Sequence, residues 1–406
     1  VKILVFTSLY PNNVQPTHGV FVKERLTAVS RLPGCQVTVV APVPYFPPLP
    51  VGRWFSYSQV ARKEVIEGVE VHHPRYFLIP KVAMALHGLL MYLSLRSFVR
   101  ELHRERRFDL VDAHYVYPDG FAAVRLAGLL GLRVVVTARG SDIHRFTEFP
   151  LIRRLVLGTL QRADRAIAVS ASLKEAMMRL GLPETKIAVV PNGVDTEKFH
   201  PMSRAEARSR LGLENGKLIL SVGHLVPLKG FDLLIRSFAA LVEQKEHRDS
   251  RLVIVGEGPE RPRLEKLVAS LGLSDRVRLV GAVAHRDLRP WYSAADAFCL
   301  ASSREGWPNV LLESMACGTP VVATAVGGAP EIVASDRLGL LAERSEPPLA
   351  RALDRALSEV WDHRLIAGHA RARSWEAVAA GVVEVFRPIL QATERAPSKT
   401  GGETPG

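Results

Sequence analysis

The chain has 406 residues, 47% of them hydrophobic and 23% charged, with a formal net charge of +12 and three cysteines. Single hydrophobic cores stop growing at about 250–300 residues, so two domains are expected. Cys35, Cys299 and Cys317 lie in apolar or strand-like runs without metal-ligand spacing, which argues against a disulfide framework or a zinc site and for a reducing compartment.

The first segment, VKILVF, starts a buried strand at once, with no charged region ahead of a longer apolar run, so no secretory signal is read and a cytoplasmic chain is expected. It leads into TSLYPNNVQPTHGVFVKERL, where His18 and Gly19 precede a helix beginning near Val20. So long a loop at a strand's carboxyl end suits a lid or an acceptor contact, and Gly19 permits close approach of a substrate. CQVTVVAP is the next strand. The most apolar run, Val82 to Leu95, falls short of the roughly 20 residues that cross a bilayer. The wider segment Tyr76 to Arg107 ends in Arg100, Arg104, Arg106 and Arg107; it is either a helix resting on an anionic membrane or a core helix with a solvated basic end.

DLVDAHY and LRVVVTA follow as strands. Just beyond them stand His114 and Asp119, in DAHYVYPDG, and Arg139 and Asp142, in TARGSDIHR. A cation and a carboxylate in such a loop either orient a sugar or its departing phosphate or form a local ion pair, and His114 is either catalytic or structural. RAIAVS and KIAVVP complete a first domain, residues 1–195, closed by PNGVDTEKFHP, in which two prolines flank an Asn-Gly turn. Residues 1–190 hold 25 Lys and Arg against 14 Asp and Glu, whereas residues 191–406 hold 28 against 27. The excess in the first half fits an anionic partner such as a membrane surface, a polyprenyl phosphate or nucleic acid, or else is ordinary arginine-rich surface. No nucleic-acid motif accompanies it, and none is expected to bind.

A second domain, residues 196–373, carries the strands KLILSVG, RLVIVGEG, RVRLVG, AFCLAS and PVVAT. Continuous apolar strands alternating with helices make the chain α/β, built of parallel sheets in βαβ units, so each half is Rossmann-like. Ligands of such sheets sit beyond the strands' carboxyl ends, near the topological switch point. In SVGHLVPLKG, Lys229 opens a helix against its dipole, which an anion beside it would rationalise; a plain surface lysine is the alternative. Gly256 and Gly258, in VGEGP, allow close approach to a ligand or simply turn the chain. The absence of GxGxxG argues against a nicotinamide-dependent oxidoreductase. Val280 and the loop after it are candidates for base recognition.

In REGWPNVLLESMACGTPVVAT, Glu305 and Gly306 end a strand, Pro308 suits a helix's first turn, and Asn309, Val310 and Leu311 carry unpaired N–H groups fit for a diphosphate. Glu313 lies further along that helix. Complementing the dipole accounts for one carboxylate but not for both. Residues 374–391 form a last amphipathic helix, expected to pack back on the first domain, and the polar residues 392–406 form a disordered tail.

Taken in order, GVFVKERL, TARGSD, VPNGVD, SVGHLVPLKG, VGEGP, EGWPNVLLE with SMACGTPVVAT, and SWEAVA resemble glycosyltransferase family 4 over nearly the whole chain. The resemblance implies the GT-B fold, two Rossmann-like domains facing each other across a cleft. It implies that Glu305 meets the donor sugar beside Gly306, that Glu313 accepts the ribose hydroxyls, and that the amides of Asn309, Val310 and Leu311 meet the diphosphate or sugar, with Lys229 on the phosphates. Gly19 would lie beneath the donor, Arg139 and Asp142 would face sugar and acceptor, and His18, His114 and Asp119 would line the acceptor side. Two positions depart from the pattern: His224 stands where much of the family has arginine, and Arg139 where many members have a histidine that contacts the sugar.

The function so implied is retaining transfer of a hexose-type sugar from a UDP- or GDP-sugar to a glycan or polyprenyl-linked acceptor in cell-surface polysaccharide synthesis, at the inner face of the plasma membrane. Helix N-terminal amides and Lys229 would stabilise the departing nucleoside diphosphate. No DxD-like motif is present, so no metal and no other cofactor is expected. The alternatives are a GT-B sugar-nucleotide epimerase and a non-catalytic sugar-nucleotide-binding protein.

Overall fold

The computed structural model describes residues 1–47, 54–78, 84–214 and 216–394, with side chains of the last helix up to residue 391. The chain forms two compact units. One comprises Val1–Ala168, Ala176–Val190 and the described residues from Ala379 onward; the other comprises Val169–Glu175 and Pro191–Val378.

The first unit contains β1 (Lys2–Phe6), β2 (Gln36–Val40), β3 (Val43–Pro44), β4 (Lys63–Ile66), β5 (Val69–His72), β6 (Arg75–Tyr76), β7 (Leu110–His114), β8 (Arg133–Ala138), β9 (Arg165–Ala168) and β10 (Ile187–Val189). Eight of these make one sheet in the order β10-β9-β8-β7-β1-β2-β5-β4, and β3 pairs with β6 separately. All neighbours in the large sheet are parallel except β4 with β5. That hairpin is absent from the expected strands. Its turn, Glu67-Gly68, places both residues at positive φ, as a tight two-residue connection requires.

The second unit contains β11 (Leu218–Val222), β12 (Arg251–Val255), β13 (Val277–Gly281), β14 (Ala297–Leu300), β15 (Val321–Thr324) and β16 (Gly339–Ala342), all parallel, in the order β13-β12-β11-β14-β15-β16. The helices Phe231–Val242 and Glu346–Ser358 cover one face, bringing Leu234, Phe238 and Leu241 together with Leu349 and Leu353. Each such side chain contributes about 1.5–3 kcal/mol on leaving water. Cys299 and Cys317 are buried, as small core residues should be, and Cys35 is half-buried. The edge strand β16 was not expected either: its sequence, GLLA, is short and opens with a glycine. A Cβ on Gly339 would lie 2.4 Å from the Val321 carbonyl oxygen, so the glycine lets the edge strand close up.

The strand order reverses between β1 and β7 in the first sheet and between β11 and β14 in the second. Both reversals leave a crevice at the strands' carboxyl ends, where loops diverge. The expected Asn-Gly turn at the domain boundary is corrected: Val194 bridges Ser374, and a Cβ on Gly193 would come within 2.9 Å of the Ser374 and Trp375 backbone. Gly193 therefore serves close packing of extended backbone. The last helix runs Trp375–Glu394, so residues 392–394, expected in the tail, are helical, and residues 395–406 lie outside the described residues. No helix among the described residues is long and apolar enough to cross a membrane. Helix His87–Arg106 buries the stripe Gly88, Met91, Leu95, Val99 and Leu102, as a core helix does.

Candidate active site

At the second sheet's reversal, β11 leads into Gly223 and His224, and the chain turns through Pro227–Lys229 into helix Phe231–Val242. Gly230 sits between them at φ 65°, and a Cβ there would lie 2.1 Å from the Ala301 carbonyl oxygen. Only glycine therefore allows this turn to press against the end of β14. The Ser303 amide donates to the Leu228 carbonyl at 2.8 Å, tying the two strand-end loops together. Lys229 Nζ thereby reaches Glu305 Oε1 at 2.7 Å, and Ser302 Oγ donates to the same oxygen at 2.7 Å. Both members of the pair are mostly but not wholly buried, with side chains 23% and 11% exposed. A third strand-end loop supports the second: Gly327, at φ 53°, would place a Cβ 1.8 Å from the Glu305 carbonyl oxygen, and Gly328 abuts Gly306 and Trp307.

Helix Asn309–Ala316 starts four residues beyond Glu305. The Leu311 amide already donates to the Pro308 carbonyl at 3.1 Å, which corrects the expectation that it is free for a ligand. The amides of Asn309 and Val310 have no acceptor among the described residues, and the Asn309 side-chain oxygen accepts from Asn192 Nδ2 at 3.1 Å. One turn on, Tyr292 Oη donates to Glu313 Oε2 at 2.7 Å and His285 Nε2 lies 3.0 Å from Oε1. Burial, then Glu313 itself, holds the Tyr292 phenol well above its ordinary pKa, so it is a neutral donor. His224 is exposed beside the Lys229 turn, and Val280 is half-buried in β13. A Cβ on Gly256 or Gly258 would strike the backbone of Gly223 (1.8 Å) or Leu225 (2.4 Å), respectively. The close approach they permit is between two loops of the protein.

At the first sheet's reversal the polar groups are turned inward. Asp119 is wholly buried and accepts from the Ser8 amide and, at 3.1 Å, from Ser8 Oγ. Burial pushes its carboxyl up to about 7 against those hydrogen bonds. Asp142, also wholly buried, accepts from the amides of Val116 (2.9 Å), Arg139 (3.0 Å) and Gly140 (2.8 Å). That geometry replaces its expected role facing sugar and acceptor: both oxygens serve to shape the loop. His114 is fully buried, lies 3.2 Å from Asp112 and accepts at Nδ1 from Arg139 Nη2 at 2.5 Å; burial lowers its pKa to about 4. It is thus a neutral interior group, contrary to its expected place on the acceptor side, and Asp119 is corrected likewise. Arg139 itself is half-buried, whereas Arg25, from the helix after β1, is completely enclosed. His18 is exposed, with Nε2 3.1 Å from the Ser8 carbonyl oxygen. A Cβ on Gly19 would come within 2.4 Å of the Leu9 backbone, so this glycine, too, answers a need of its own loop.

Ser302, Tyr292, His285 and Gly230 with Gly327 and Gly328 escaped the sequence reading. The Gly-Gly pair two residues after PVVAT was a visible signal of a strand-end loop under close approach. Tyr292 and His285 carried none, because only tertiary packing brings helix Arg289–Ala294, which bears Tyr292, and the turn His285–Asp287 before it to Glu313 on helix Asn309–Ala316.

Residues 203–370 match the family described as glycosyl transferases group 1, and residues 19–198 match Glycosyltransferase Family 4. A D-inositol 3-phosphate glycosyltransferase of Frankia alni is 42% identical over 310 residues, spanning 71% of this chain and 76% of that protein. Among solved structures, a sucrose-phosphate synthase of Thermosynechococcus elongatus superposes with a TM-score of 0.74 at 23% identity, over 96% of this chain and 99% of the other. HepE of Anabaena, solved with UDP, superposes at 0.72 with 20% identity, over 96% and 100%. With two Rossmann-like sheets, the GT-B fold of these neighbours, and Glu305 and Glu313 set along one strand-end loop and helix, the chain belongs to glycosyltransferase family 4 and is a glycosyltransferase.

Proposed function

We propose that the enzyme transfers a hexose-type sugar, with retention of configuration, from a nucleoside diphosphate donor held by the second unit. The observation that carries this reading is the Lys229–Glu305 pair at a sheet's switch point, next to the open amides of Asn309 and Val310. The diphosphate would lie against Lys229 and those amides, the sugar beside Glu305, and the ribose hydroxyls on Glu313. In the transfer, the bond from the anomeric carbon to the phosphate oxygen breaks as the acceptor oxygen attacks on the same face, and the acceptor's proton passes to the departing phosphate. Cationic and amide donors aimed at that growing charge stabilise it without further reorganisation. Exposed His224 supplies a second donor to the phosphates.

The acceptor belongs with the first unit, the basic half of the sequence. A lipid-linked or growing glycan at the cytoplasmic face of a membrane is supported by the outer side of helix His87–Arg106 and its lead-in, where Leu86, Leu89 and Leu93 are exposed ahead of exposed Arg96, Arg100 and Arg104. The similarity to a protein named for D-inositol 3-phosphate favours a second acceptor class, a small phosphorylated polyol. Flotation with anionic vesicles at low salt separates the two: the lipid-linked reading requires binding.

A panel of UDP-, GDP- and ADP-sugars tested for thermal stabilisation identifies the donor, since a ligand at 100 times its Kd adds about 2.7 kcal/mol. Glu305→Ala should then abolish transfer while the fold persists. Unchanged function in that variant would leave only a binding protein, and conversion of the nucleotide sugar with no acceptor present would make the enzyme an epimerase.

A further inference from the structure

We propose that His285 is a positioning residue for nucleotide recognition, acting through Glu313; the inference rests on the reading of Glu313 as the ribose anchor. The two carboxylate oxygens are held from opposite sides by partners of different kinds. Tyr292 is fully buried and packs against Phe199 and Phe298, with ring centroids 5.7 Å away in each case, so its grip on Oε2 is fixed by the core. His285 stands on the short turn His285–Asp287 after β13, and its side chain is 28% exposed while that of Glu313 is 10% exposed. Its ring is set edge-on to Phe199 at 5.1 Å, which aims Nε2 at Oε1.

One hydrogen bond per oxygen leaves each oxygen a lone pair, so the clamp does not consume the acceptor capacity that two vicinal hydroxyls need. What it removes is rotation of the carboxylate. With Tyr292 alone, Glu313 could swing about the Oε2 contact; with His285 as well, the plane of the carboxylate is set before a ligand arrives. Preorganisation of this kind increases discrimination between a partner that makes both hydrogen bonds and one that lacks a hydroxyl. The histidine is therefore a determinant of preference for ribose over deoxyribose.

The test uses the full chain and the probes UDP, 2′-deoxy-UDP and 3′-deoxy-UDP, with GDP and its deoxy forms as a second set, measured by titration calorimetry. The wild type should prefer the ribonucleotide, Glu313→Gln should erase that preference, and His285→Ala should reduce it about tenfold. His285→Gln, which keeps an N–H at similar reach, should restore most of it, and His285→Ala combined with Glu313→Gln should be no worse than Glu313→Gln alone. Unfolding midpoints of the variants separate this from a general loss of structure, which would weaken ribose and deoxyribose forms alike. If Glu313→Gln erases the preference and His285→Ala leaves it intact, the role of His285 is overturned and the ribose anchor stands. If the wild type shows no preference, or Glu313→Gln retains it, the ribose anchor falls and His285 with it.

Discussion

The two switch points occupy the same place in two similar sheets and treat charge in opposite ways. Between β1 and β7, Asp119, Asp142 and His114 are wholly buried, as are Arg25 and Asp112, and the hydrogen bonds of the first three run to Ser8, to loop amides and to the Arg139 guanidinium. Burial alone would raise the Asp112 pKa, but His114, Arg25 and Arg139 outweigh it, so that carboxylate stays ionised inside the unit. Between β11 and β14, Lys229 and Glu305 keep part of their surface in solvent and stand beside unused amides. The first crevice uses its polar residues to hold loops in shape; the second presents them. A strand-end location is therefore a weak sign of chemistry by itself, and what distinguishes the two is whether the polar groups are enclosed by the fold or reach solvent.

The largest test of that contrast is Lys229→Ala, expected to lower kcat by about 10²–10³ through loss of leaving-group stabilisation. A drop no larger than that of a surface lysine would remove the second crevice's claim. Next is Gly327→Ala. Its Cβ has no room beside the Glu305 carbonyl and its φ of 53° disfavours alanine. Displacing Glu305 by about 1 Å can cost 10²-fold in rate, and the strain of order 1–3 kcal/mol should appear as a lower unfolding midpoint. Wild-type turnover and stability would mean the cradle does not position Glu305.

A smaller effect is expected in the first crevice. The folded pKa of Asp119, about 7, lies above its unfolded value, so its contribution to stability is complete below the unfolded pKa and declines as pH rises through about 7. Asp119→Asn should therefore raise the unfolding midpoint at pH 8 relative to wild type, by about 2–4 °C for each kcal/mol, and the gain should vanish near pH 4. An equal shift at both pH values would show that Asp119 is ionised throughout. Smallest of all is EDTA, which should leave the transfer rate unchanged if Lys229 and the amides do the work of a cation; restoration of a lost rate by a divalent ion would refute that.

Eleven strands were legible because both faces of a parallel sheet are covered, which writes them as continuous apolar runs. The β4–β5 hairpin and β16 were not: β4 and β5 mix apolar with charged or polar residues and β16 is four residues long, so neither produces such a run. Of the candidate residues, Lys229 meets Glu305, because each follows a strand that adjoins the reversal. His114, Asp119 and Asp142 read identically in the sequence, yet the fold encloses them.

Sequence alone determined the alternation of strand and helix, the glycines and prolines that end each strand, and the two glutamates eight positions apart, since all of these depend on local periodicity and backbone freedom. Tertiary structure decided which polar groups were satisfied within the protein. Tyr292 and His285 reach Glu313 across 21 and 28 residues, and Lys229 reaches Glu305 across 76. Pairings over such distances are set by strand order and helix packing, and no local pattern encodes whether a buried carboxylate will find its donors in the chain or must await them from a ligand.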